Sequence, residues 1–117
     1  MITLKTLAQA TEQEVFDQIA RHLLQQGKRS EEEKLCRYRE GNLKCAAGCL
    51  IGDDEYSEQM EGNKWTTLVY DGKVPAKHKK LILTLQLMHD SKNPQEWKEC
   101  LDELAENWNL NTSCLEE

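Results

Sequence analysis

Residues 36–62, CRYREGNLKCAAGCLIGDDEYSEQMEG, constrain the fold more than any other part of the chain. They crowd three cysteines, two arginines, an acidic run and several glycines between stretches that carry ordinary helical periodicity. Apolar residues here recur neither every 3.6 positions nor strictly every second one, so short strands, turns and single helical turns are expected. Residues 35–39 and 43–46 flank Glu40, Gly41 and Asn42, which predicts a short β-hairpin around a glycine-containing turn. Residues 47–51 are read as a short helix. Ser57 is placed to cap a one-turn helix closing at Gly62, with Glu58 and Glu61 in the first turn, where the helix dipole favours carboxylates.

The flanks are simpler. Thr11 and Glu14 form a capping box and Gly27 a stop, which predicts a helix over residues 11–26 with Val15, Phe16, Ile19, Ala20, Leu23 and Leu24 on its buried face. A charged connection over residues 28–34 follows. Pro75 opens a third helix that runs to about Asp90, apolar on more than one side and therefore central. Asn93 and Pro94 open a last helix to Trp108, with Trp97, Leu101, Leu104, Ala105 and Trp108 on one stripe. That stripe would serve equally as a core face or as a homodimer contact. Residues after Asn109 carry no period and are expected to fray or lie across the surface. The expected fold is mainly α (α+β): one compact domain over residues 1–117, ordered from about 11 to 108. It has about four helices packed in one layer-pair, with a short β-hairpin near residues 35–46.

Composition narrows the function classes. A chain of 117 residues can bury a core without staples, and no run approaches the roughly 20 apolar residues that span a bilayer. The N-terminal residues lack a secretory pattern, so a cytoplasmic protein is expected, in the host cell if phage-encoded. Five cysteines, Cys36, Cys45, Cys49, Cys100 and Cys114, are read as reduced thiols, mostly in the interior. The formal charge of −6 argues against direct nucleic-acid binding, which needs an excess of Lys and Arg.

Few residues invite a chemical role. Cys45 and Cys49 meet the loose end of zinc-knuckle spacing, but Cys36 is isolated and a fourth ligand would have to come from His22, His78 or His89. These histidines fall on apolar helix faces and read as boundary core residues. No nucleophile signature surrounds Cys45 or Cys49. Asp53, Asp54 and Glu55 do not fit a calcium loop, and no phosphate loop, dinucleotide fingerprint, nucleophile elbow or zincin motif occurs. The expectation is therefore no catalytic residue, no metal ligand and no cofactor. What remains is a candidate binding surface of Arg37, Tyr38, Arg39, Lys44, Asp53, Asp54, Glu55, Tyr56 and Trp65, residue types that anchor interfaces. Arg37 and Arg39, two apart on a strand, share a face and are suited to one phosphate or carboxylate. The plainer alternative is that they solvate a hairpin and pair with the acidic run.

The strings HLLQQGKRS, CRYREGNLKCAAGCLIGDDEY, MEG and VPAKHKKLILTLQLMHD, with a Trp-containing last helix, resemble a family of small uncharacterised proteins of tailed phages and prophages. The likeness covers residues 15–108, with Gly52 where similar proteins carry proline. It implies a phage accessory protein, and no catalytic residue is carried over with it. The leading expectation is non-catalytic binding that inhibits or redirects a host protein, such as a nucleic-acid-directed defence system, through electrostatic complementarity. One alternative is capture of a small nucleotide by Arg37, Arg39 and the aromatics. Another is a small cysteine- or metal-dependent enzyme.

Overall fold

The computed structural model describes residues 1–33 and 35–116; Lys34, at the end of the predicted charged connection, lies outside them. Helix α1 spans Glu12–Gln26 and begins as expected: Thr11 accepts the Glu14 N–H while the Glu14 carboxylate returns to the Thr11 N–H. Gly27 ends it at φ +66, a left-handed conformation that glycine adopts without a Cβ penalty. Four two-residue strands follow. Strands β1 (Glu31–Glu32) and β2 (Leu35–Cys36) pair with Glu31 opposite Cys36, so residues 35–36, expected to pair with 43–46, instead pair back onto the charged connection. Strands β3 (Arg39–Glu40) and β4 (Leu43–Lys44) pair with Arg39 opposite Lys44 around Gly41, the predicted hairpin with shorter strands.

The expected short helices at 47–51 and after Ser57 are 3-10 turns, Gly48–Leu50 and Glu58–Met60; the Ser57 hydroxyl accepts the Gln59 N–H. Helix α2, Trp65–Tyr70, was not foreseen, since six residues give too short a window for periodicity. Helix α3 spans Lys79–Ser91, starting later than Pro75 suggests. His78 sits at φ +67 and interrupts helical dihedrals, held there by its Nε2, 2.6 Å from the Ala10 carbonyl oxygen. Asn93, Pro94 and Glu96 form a capped 3-10 turn, Pro94–Glu96, that leads into helix α4, Trp97–Asn107.

Helix α3 packs against α1, α2 and α4, the central placement its apolar residues predict. The core joins Phe16, Ile19 and Leu23 of α1 to Leu81, Ile82 and Leu85 of α3 and to Trp97 and Leu101 of α4, all fully buried. The stripe on α4 therefore faces the core of this chain. Two expectations about the ends are corrected. Leu7 is fully buried, and a 3-10 turn at Ser113–Glu116 seats Cys114 and Leu115 against α1. Of the two expected outcomes, fraying or lying across the surface, the last described residues take the second and bury two apolar side chains as well, which repays their ordering even without a periodic pattern. No helix among the described residues is long and apolar enough to cross a membrane.

Candidate functional site

The central segment is organised around one carboxylate. Glu61, its side chain only 8% exposed, accepts the Tyr38 N–H at 2.8 Å, the Arg39 N–H at 3.1 Å and the Tyr56 hydroxyl at 2.6 Å. Arg37 spends its guanidinium on Glu40 at 3.0 Å, Glu58 at 3.2 Å and the Arg39 carbonyl at 3.1 Å. Arg39 meets Asp53 at 2.9 Å and the Ile51 carbonyl at 2.8 Å, and lies over the Tyr56 ring at 4.9 Å. Arg37 lies between β2 and β3 rather than on a strand face shared with Arg39, the two send their cations to different carboxylates, and neither guanidinium lines the two clefts described below.

The other predicted surface residues divide between scaffold and solvent. Glu55 clamps the N-terminal segment by accepting the Leu4 and Lys5 N–H groups, and also takes the Gly52 N–H at 2.8 Å. Tyr38 and Trp65 are buried in edge-to-face contact at 6.2 Å, with the Tyr38 hydroxyl donating to the Asn63 carbonyl at 2.6 Å. Burial first, and then the Glu61 partner, push the Tyr56 phenol up to about 12. Asp53 is 89% exposed, and Asp54 pairs with Lys5 at 2.8 Å in the open. Lys44 reaches Asp53 only at 3.9 Å, while its carbonyl accepts from His22 and Gln26. Burial holds the His22 imidazole below its usual range.

A cleft of about 740 Å³ opens beside this segment, between β2, α2 and α3. Tyr38 and Trp65 line it, Leu35 and Leu87 stand at it 71% and 66% exposed, and its polar lining is Cys36, Asn63, Lys64, Gln86 and Asp90. The Trp65 Nε1 is buried with no acceptor among the described residues. A second cleft of about 770 Å³ lies between the N-terminal segment and α1, with Cys49 and His22 in its wall.

Distant parts of the chain meet at the first cleft. Gln86, His89 and Asp90 occupy the last turns of α3, whose C-terminus is capped by Arg29: Nε donates to the His89 carbonyl at 3.0 Å and Nη2 to that of Lys92. His89 is 1% exposed and stacks on Trp97 at 5.4 Å. Its Nδ1 donates to Asp90 Oδ1 at 2.8 Å and its Nε2 accepts the Ser30 N–H at 3.2 Å. Burial and the Ser30 N–H favour the neutral ring, while Asp90 and Cys36 outweigh burial and raise its pKa. The Gln86 amide donates both to Cys36 Sγ at 3.0 Å and to Asp90 Oδ1 at 2.9 Å. The Cys45 Sγ accepts the Gly48 N–H at 3.3 Å. That turn approaches so closely that a Cβ on Gly48 would stand 2.2 Å from the Tyr38 carbonyl oxygen.

The bond to Cys45, and then burial, drive the Cys36 thiol far above its ordinary pKa, and burial pushes Cys49 up to about 12. Neither is a preformed thiolate nucleophile. The cysteine grouping read from spacing is also rearranged: Cys49 bonds the Ala46 carbonyl and faces the other cleft, while Cys36 meets His89 and Asp90. Sequence reasoning passed over Gln86 and Asp90, and placed His89 among packing residues. The spacing Gln-x-x-His-Asp, on one helical face at the end of α3, is the local signal that these side chains could act together. No protein-family model, no curated protein and no solved structure matches this chain.

Proposed function

We propose that this chain acts by non-catalytic binding, as a phage-type accessory protein in the host cytoplasm that docks on a basic host protein, such as one directed at nucleic acids. The observation that carries the reading is the apolar cleft, where Leu35 and Leu87 remain largely exposed over a base of Tyr38 and Trp65. Large aliphatic side chains left in water on a chain of this size mark a surface that gains by being covered. Asp90 at the cleft and the exposed Glu31 and Glu32 on the adjoining hairpin, against Lys64 in the cleft wall, favour an occupant carrying cations beside its apolar anchor, and the formal charge of −6 agrees.

The nucleotide-capturing alternative loses its carrier, because Arg37 and Arg39 are already paired with carboxylates. The cysteine-enzyme alternative is disfavoured at Cys36 and Cys49, whose thiols are held in the protonated form. The test is capture from bacterial lysate with the native chain and with a Leu35→Glu, Leu87→Glu variant. A basic protein retained by the native chain and lost by the folded variant supports the reading. The same proteins on both, or none on either, refutes it.

A further inference from the structure

Cys36, His89 and Asp90 each bring one donor atom to a point where all three lie within 4.8 Å of one another. We propose that these three side chains form a binding site for one thiophilic divalent cation, zinc by the chemistry of the donors. A sulfur, an imidazole and a carboxylate are ligand types that Zn²⁺ takes, with water in the fourth position of a three-ligand site, whereas calcium and magnesium select oxygen. Tetrahedral bonds of about 2.0–2.3 Å place neighbouring ligand atoms about 3.3–3.8 Å apart, so side-chain rotations on the order of 1 Å close the site.

Hydrogens now do what the cation would do. The Nδ1 hydrogen of His89 bridges to Asp90, and the Gln86 amide bridges Cys36 and Asp90. One divalent ion replaces these bridges: the Cys36 thiol proton leaves to solvent, and the Gln86 amide nitrogen swings aside while its oxygen keeps the Ala47 N–H at 2.9 Å. His89 frees Nδ1 by moving its proton to Nε2, which gives up the long 3.2 Å contact from Ser30.

The donors come from two segments, β2 and the end of α3. A cation would staple the first hairpin onto the helical core. The inference is independent of the docking reading, since it concerns metal uptake by the isolated chain.

The experiment uses the full chain, reduced and stripped with a chelator, titrated with Co²⁺ and read by the thiolate-to-cobalt charge-transfer absorption, then displaced with Zn²⁺. One equivalent is expected to saturate. Cys36→Ser, at an exposed position where folding survives, abolishes most of the charge-transfer band, and Asp90→Asn weakens uptake roughly 10- to 100-fold. Cys100→Ser, on α4, leaves the titration unchanged. Absence of saturable uptake by the reduced native chain, or a Cys36→Ser spectrum identical to the native one, overturns the proposal.

Discussion

Replacing Glu61 by alanine tests whether the central segment is a scaffold built on one carboxylate. The substitution strips the acceptor from the Tyr38 N–H, the Arg39 N–H and the Tyr56 hydroxyl. Each donor left unpaired in a buried setting costs about 1–3 kcal/mol, and water reaching the rim recovers part of that, so a net loss of about 3–5 kcal/mol is expected. Against a total stability on the order of 5–15 kcal/mol, this is a large fraction. At this chain length it corresponds to a fall in melting temperature of about 12–20 °C. Thermal and urea unfolding followed by circular dichroism measure it. Asp54→Ala, which breaks only the solvent-exposed pair with Lys5, is the control and should leave the melting temperature unchanged. A Glu61→Ala variant that melts within about 4 °C of the native chain would refute the reasoning, since it would mean that these donors find water at little cost.

Two further outcomes follow from the same geometry. Gly48→Ala should cost about 3 kcal/mol in urea unfolding, because the new Cβ meets a backbone oxygen that can move only by displacing the hairpin; a loss below about 1 kcal/mol would show that the turn yields easily. The Tyr56 phenol, raised from 10.0 to about 12, is protonated in both folded and unfolded chains below pH 10, where its contribution to stability is complete. Between pH 10 and 12 the unfolded chain ionises first, so the native melting temperature should fall across that window, and Tyr56→Phe should fall less steeply; parallel curves would sink the assignment.

Local chemistry made much of the fold legible. The capping box of Thr11 and Glu14, the stop at Gly27, the Ser57 cap and the Asn93-Pro94 opening all appear where their residues announce them, because each depends on partners within four positions. Elements that short-range pattern cannot express were missed or misplaced. Helix α2 is shorter than two turns, the start of α3 is set by a left-handed His78, and the last residues are ordered only through contact with α1. The candidate surface shows the same divide. Its residue types were correct for a polar network, but whether Arg37 and Arg39 face a ligand or a carboxylate depends on where Glu58, Glu61 and Asp53 arrive in space.

By itself, the sequence determined a mainly helical chain with a hairpin in its central segment, the boundaries of its first helix and the apolar faces of its core. Those properties are encoded in spacing along the chain, and spacing is read directly. Only the tertiary structure decided that Tyr38 and Trp65 lie beneath an open apolar cleft, and that Cys36 meets His89 and Asp90 across more than forty residues. Such a meeting is fixed by how the two hairpins settle on the end of α3, a packing outcome governed by buried surface and unsatisfied backbone groups that no periodicity records.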